Sequence, residues 1–369
     1  MMNANSSFLI SLVLCIVLTC SVSAMDAYPR TITDSAGRTV TIQMPIERII
    51  VQSGYAAQAV TILGDADKII GVIDTIHKRN ELYPNLKDTQ VVGTWNTFDY
   101  ELIGQMVSEN DTIVPNVLVI CYSYGTSGGK SYAVDLHEKG FAPLKNITVV
   151  GLDFSNSENV TDSMTKLGAI LGKEEEAQSY VNWYEKRKLD AVNAVEGLSL
   201  PKVYIESSSA GGLGALTLYG AASGFGELVR LAGGFNVAKD LKDRFPKVTW
   251  EWVLTRNPDV MIRYQSADTF GWQAEPSSDT VALEKTRNEM MSRPGGDGVS
   301  AIKSNRVYLC YSEMLYGPGS VVGLTYLAKM LHPEADLDPL SVYKEYTDLL
   351  GIEFPEKRTF VYPEISTNA

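Results

Sequence analysis

The stretch from Glu174 to Glu196 contains neither proline nor glycine, and Ala177, Val181, Tyr184, Lys188, Val192 and Val195 recur in it at helical spacing. Residues three and four apart lie on one side of a helix. The stem of Lys188 can share that stripe with its charge outside. The spacing predicts one long helix over 174–196, stopped at Gly197, where glycine takes the left-handed conformation that ends helices. A stiff rod of this length in mid-chain leaves few folds open. The segments before and after it must each build a core of their own.

Both segments show the same alternation. Thr31 to Ile42 reads as a hairpin around a Ser-Ala-Gly turn. Strand-like runs follow at 48–52, 68–73, 90–93, 117–121 and 148–152, with helix-like stretches at 56–63, 100–107 and 133–139. A polar loop is expected from 74 through Pro84. Pro201 restarts the alternation, with runs at 202–206, 225–231, 260–263, 306–309 and 322–331. Strands alternating with helices predict mostly parallel sheets covered on both faces. The expected fold is α/β: two Rossmann-like lobes, at 31–172 and 200–335, joined by the helix at 174–196, with a ligand cleft between them. The tail at 336–369 is polar, holds Pro339, Pro355 and Pro363, and is expected to wrap the second lobe.

The N-terminus carries a processing signal. Phe8 to Val22 is almost wholly apolar and is followed by Val22-Ser23-Ala24. That pattern reads as a signal peptide over 1–24, cut after Ala24. The region before it lacks lysine and arginine, so a retained anchor stays open, and Cys20 leaves lipid attachment open. A net charge of −12 repels nucleic acid and argues against a DNA or RNA partner. Cys121 and Cys310 each end an apolar run and are read as buried free thiols.

Several motifs now point to a family. Thr33-Asp34-Ser35-Ala36-Gly37-Arg38 comes before Glu47-Arg48-Ile49-Ile50, and Tyr100-Glu101-Leu102-Ile103 before the strand at 117–120. Ala232-Gly233-Gly234-Phe235-Asn236-Val237-Ala238 precedes Val248-Thr249-Trp250-Glu251 and Asn257-Pro258-Asp259-Val260. Arg293-Pro294-Gly295, the run from Ala301 to Tyr308, and Leu331-His332-Pro333-Glu334 complete the order. From about Thr31 to Pro333 the chain resembles the binding proteins of ABC importers for ferric siderophores, cobalamin and haem. The resemblance implies an extracytoplasmic, monomeric carrier with no catalysis, and an importer permease with its ATPase as partners. It also implies that Glu101 and Glu251 dock to that permease, one from each lobe. Two separated carboxylates on one face orient a partner by charge.

Candidate ligand residues come from strand ends, because α/β sheets bind ligands beyond the carboxyl ends of their strands. Tyr55, Trp95, Tyr122 and Tyr124 follow strands of the first lobe, and Tyr219, Tyr264, Tyr311 and Tyr316 lie at such places in the second. Aromatic rings offer a large rigid surface with a polar tip, suited to a bulky chelate. Trp95 is expected to be the anchor, since the resemblance puts a ligand-facing aromatic there. No metal site in the protein itself and no resident cofactor are expected. Histidines occur only at 77, 137 and 332, without paired-ligand spacing. An iron(III)–siderophore complex is the first expected ligand and a corrinoid such as cobalamin the second. An exported chelatase-like or hydrolytic enzyme is the rival class, but the chain has no Gly-x-Ser-x-Gly elbow.

Overall fold

The fold is that of a computed structural model, which describes residues 28–109, 112–113, 116–123, 133–144, 147–208, 212–220, 223–265, 270–273 and 280–365. The leader with its cut site, and Tyr124, lie outside the described residues. Among the described residues no helix is long and apolar enough to cross a membrane.

The first lobe opens with a hairpin of β1 (Arg30–Thr33) and β2 (Thr39–Ile42). Asp34 in its turn is buried. Its carboxylate accepts hydrogen bonds from the backbone N–H of Ala36, Arg38 and Gly151 and from the Arg38 guanidinium. The opening motif therefore pins the hairpin to the lobe. Then come β3 (Arg48–Val51), α1 (Gly54–Ile62), β4 (Ile69–Ile73), α2 (Asp74–His77), β5 (Gln90–Thr94), β6 (Thr97–Phe98) and α3 (Tyr100–Met106). A small ribbon of β7 (Ser108–Glu109) and β8 (Thr112–Ile113) precedes β9 (Val117–Cys121), α4 (Val134–Phe141), β10 (Ile147–Gly151) and α5 (Val160–Leu171).

The six-stranded sheet has the order β10-β9-β3-β4-β5-β6, and all neighbours are parallel except β5 and β6. Every residue of β9 is buried, as a central strand covered on both faces requires. The stretch expected to be a polar loop is partly structured. It holds α2 and a 3-10 turn at Pro84–Leu86, and buries Ile76, Leu82, Tyr83 and Leu86. Apolar residues scattered without a period gave no sign of that.

The connecting helix is α6 (Glu174–Val195). Its first turn carries Glu174, Glu175 and Glu176, which complement the positive end of the helix dipole. Beyond it come β11 (Lys202–Ser207), β12 (Leu216–Thr217), α7 (Phe225–Leu231), β13 (Phe235–Asn236), β14 (Lys247–Val248), α8 (Trp250–Arg256), β15 (Val260–Gln265), α9 (Val281–Met291), α10 (Ser300–Lys303), β16 (Val307–Tyr311) and α11 (Ser320–Leu331). The tail adds α12 (Pro339–Leu349) and β17 (Val361–Tyr362). The second sheet runs β13-β11-β15-β16-β17, parallel except for β17. Each lobe is thus a parallel sheet closed by one antiparallel edge strand.

The remaining motifs are structural pins of the second lobe. Gly233 sits at φ +72, beyond the end of α7, and the His332 ring bonds its carbonyl at 3.0 Å. Asn257 ends α8 in the left-handed region, and its side-chain oxygen accepts from Ser300 N–H at 2.8 Å. Arg306 donates to the carbonyls of Met330 and Leu331 at the end of α11.

The tail does more than wrap the second lobe. Pro339 occupies the first turn of α12 behind an Asp338 cap, a favoured place for proline. From there Tyr346 donates to Gln58 of α1 at 2.9 Å, and Arg358 pairs with Glu81. Both partners belong to the first lobe. Glu345 also binds the guanidinium of Arg187 and the indole N–H of Trp183, both on α6. Helix α6 itself packs on α5 and α11. Tyr180 bonds the Pro318 carbonyl at 2.7 Å, and Tyr184 and Ser320 share a hydrogen bond at 2.9 Å. The connection is therefore a packed spine, not a free tether.

Candidate ligand cleft and docking face

The lobes meet at the carboxyl ends of β3 and β16. Tyr55, in the first turn of α1, stacks on Tyr316 with ring centroids 6.0 Å apart. Gly317 makes this approach possible: it has φ +68, and a Cβ there would lie 2.5 Å from the Tyr55 ring. Behind Tyr316 the aromatic surface continues into Phe225 at 4.8 Å. Phe225 contacts Tyr219 and Tyr264, each at 4.5 Å. Four of the expected tyrosines, Tyr55, Tyr219, Tyr264 and Tyr316, thus form one cluster with Phe225. Burial pushes the phenols of Tyr55, Tyr219 and Tyr264 above their ordinary range, so they serve as neutral hydrogen-bonding groups.

Not every expected residue offers its side chain to the cleft. Tyr264 is 1% exposed and forms the wall behind Tyr219 rather than its surface. Tyr311 is fully buried among Phe270 and Phe360. Its neighbours include Gln58 and Tyr346 around a cavity of about 20 Å³, room for a single water. The strand-end argument locates a backbone, and the pleat of β16 then sends the side chain inward. Tyr122, just beyond β9, is half-buried, with its N–H on the Gln52 side chain at 3.2 Å. Trp95 lies at the tip of the β5–β6 hairpin, towards the sheet edge, and is 49% exposed.

A further polar contact between the lobes, beside the Tyr55–Tyr316 stack, has no motif. Arg79, in the segment read as a polar loop, holds Glu313 through both terminal guanidinium nitrogens at 2.9 Å. The Tyr55 hydroxyl donates to the same carboxylate at 3.2 Å. Both charged side chains are mostly buried. Cys121 and Cys310 are buried and free, in different lobes. Among the described residues no group of three or more His, Cys, Asp or Glu converges as a metal site.

Glu101 and Glu251 occupy matching places. Each is the second residue of a helix, exposed, and preceded by an aromatic residue and a capping side chain. Asp99 accepts from Leu102 N–H at 2.9 Å, and Thr249 from Trp252 N–H at 3.3 Å. The Glu251 carboxyl is held below its usual range by its own backbone N–H and the Thr249 hydroxyl.

The aromatic residue before each glutamate begins a buried polar network. In the first lobe Tyr100 bonds His137 at 2.8 Å, and His137 bonds Gln52 at 2.6 Å. The Gln52 carbonyl is committed to Tyr122 N–H, so its amide faces the His137 ring. Nε2 must accept, and the single proton sits on Nδ1, directed at Tyr100. Burial lowers the His137 pKa to about 4. In the second lobe Arg293 lies over Trp250 at 5.1 Å and clasps Glu206 with bonds of 2.7 and 2.8 Å. Tyr204 donates to Glu206 at 2.5 Å, and Arg263 approaches it at 3.6 Å while reaching the Ser208 carbonyl. Sequence reasoning missed Gln52, Arg79, His137, Glu206, Arg263, Arg293 and Glu313 as site or support residues.

Comparison with known proteins gives the family and the fold. The family described as "Periplasmic binding protein" matches residues 115–314. The molybdate-binding protein MolA of Haemophilus influenzae is 23% identical over 89% of this chain and 93% of its own. Its molybdate-bound structure, described as the periplasmic binding protein of an ABC transporter, superposes with a TM-score of 0.64 over 88% of this chain and 99% of that one. A cobalamin-binding protein of Halobacterium salinarum is 22% identical over 76% of this chain and 70% of its own. The TroA-like periplasmic binding protein FepB of Veillonella parvula has a TM-score of 0.69 at 23% identity, covering 90% of this chain and 99% of that one. With more than half of its length matched and the two-lobed architecture shared, the chain belongs to the periplasmic binding protein family, as a substrate-binding protein of the ABC-transporter type.

Proposed function

We propose that this protein captures a metal chelate outside the cytoplasmic membrane, an iron(III)–siderophore complex before a corrinoid, and delivers it to an ABC permease without catalysing a reaction on it. The observation that carries the reading is the Tyr55–Tyr316 stack, one ring from each lobe, backed by Phe225 and Tyr219. Aromatic area shared by two lobes suits a bulky ligand held between them. The leader cut after Ala24 places the mature chain on the outer side of the membrane. Glu101 and Glu251 then meet basic groups of the permease, one contact for each lobe.

The test is a titration of purified protein with ferric siderophores, cyanocobalamin and haem, followed by tryptophan fluorescence and calorimetry. Tight binding of a ferric siderophore supports the proposal. Preference for cyanocobalamin selects the corrinoid reading, which the Halobacterium salinarum relative favours. Binding of none of the three defeats both.

A further inference from the structure

The contact between Arg79 and Glu313 has the form of an occupied ligand subsite. A bidentate guanidinium–carboxylate pair plus a phenol donor is how a protein holds the anionic group of a ligand. Here the first lobe supplies the donors, Arg79 and Tyr55, and the second supplies the carboxylate from the 3-10 turn Ser312–Leu315. The site abuts the Tyr55–Tyr316 stack, since Tyr55 belongs to both. The Arg79 side chain is 17% exposed and that of Glu313 18%, so neither charge is well solvated in this closed arrangement.

Resting on the carrier reading above, we propose that Glu313 is a specificity-determining residue: an internal counter-ion that occupies the Arg79–Tyr55 subsite when the cleft is empty and that an anionic group of the cargo displaces. The chemistry follows from charge balance. A cargo that separates the pair without offering a negative group leaves two poorly solvated charges unpaired, which is costly. A cargo with an exposed carboxylate or other anionic oxygen replaces the bond that it breaks at Arg79, and Glu313 turns out to solvent from its exposed edge. The subsite thus selects anionic chelates over neutral or cationic ones of the same size. Selection of this kind works by penalising the wrong ligand as well as rewarding the right one.

Three probes and three variants test this. Iron(III) citrate is an anionic chelate, ferrioxamine B a cationic ferric chelate, and cyanocobalamin a neutral corrinoid. Affinities are measured for the native chain, Arg79→Gln, Glu313→Gln and Tyr55→Phe, with circular dichroism melts as a folding check. The expected result is that iron(III) citrate binds, that Glu313→Gln tightens it roughly tenfold, and that Arg79→Gln weakens it roughly tenfold or more. Tyr55→Phe, which keeps the ring, weakens it by a smaller factor. Failure of iron(III) citrate to bind both the native chain and Glu313→Gln overturns the proposal. So does citrate binding that Glu313→Gln leaves unchanged or weakens. Binding of ferrioxamine B or cyanocobalamin that ignores all three substitutions overturns it while leaving the carrier reading intact. No binding of any probe overturns this proposal, and the wider titration with ferric siderophores, cyanocobalamin and haem then decides the carrier reading.

Discussion

The two lobes solve one problem with opposite chemistry. Each presents an exposed glutamate at the start of a capped helix, and each runs a buried polar network from the aromatic residue before that glutamate to the strand ends. The first lobe uses neutral groups, Tyr100, His137 and Gln52. The second uses full charges, Glu206 with Arg293 and Arg263. Neutral hydrogen bonds contribute modestly each, and their loss is tolerable. A buried ion pair is different: as a whole it adds little, but half of it is costly. The first lobe should therefore be adjustable and titratable, and the second brittle to single substitutions.

The sharpest break between binding and delivery is charge reversal at Glu101 and Glu251. If both glutamates dock to the permease as proposed, Glu101→Lys or Glu251→Lys should abolish uptake in cells while leaving affinity in the free protein unchanged, because both side chains are exposed. Equal losses from either lobe would show that both contacts are needed. A large loss of affinity in one variant would move that glutamate into the pocket.

Stability comes next. Glu206→Gln should cost about 3–5 kcal/mol, the usual effect of stranding a buried partner charge, read by denaturant unfolding. A loss no greater than for a neutral network would erase the contrast between the lobes. Trp95→Ala should weaken ligand binding more than roughly tenfold, about 1.4 kcal/mol, if the exposed indole at the β5–β6 tip meets cargo. Normal binding would confine the site to the tyrosine cluster.

The smallest effects belong to the first-lobe network. Tyr100→Phe should cost about 1 kcal/mol, one hydrogen bond. The same network predicts a pH dependence. His137 has a pKa of about 4 in the folded protein, against 6.5 when unperturbed, so between those values the unfolded chain binds the proton first. Stability should be complete above pH 6.5 and fall as pH drops towards 4. A His137→Gln chain should lack that part of the fall, and an identical pH profile in it would contradict the assignment.

The α/β architecture was legible because period-two and helical patterns alternate so regularly on both sides of one unbroken helix. The motifs were legible too, but what they encode is largely scaffold. Asp34 anchors a hairpin, Gly233 takes the bond of His332, and Asn257 ends a helix. Glu101 and Glu251 stand out because local caps place them. The contact between Arg79 and Glu313 spans more than two hundred positions and leaves no local trace. The same holds for Tyr346 on Gln58. Tyr311 shows the limit of strand-end reasoning: it ends β16 as expected, yet packs inward, whereas Tyr316, beyond the next turn, meets the other lobe.

The central claim is that cargo is held between the lobes, against Tyr55 from one and Tyr316 from the other. A crystal of the protein with its tightest-binding ferric chelate, measured at the iron edge, tests it directly. The account predicts one strong anomalous peak in the inter-lobe cleft, with the chelate touching both rings. A peak on the surface of a single lobe, away from that pair, would contradict it.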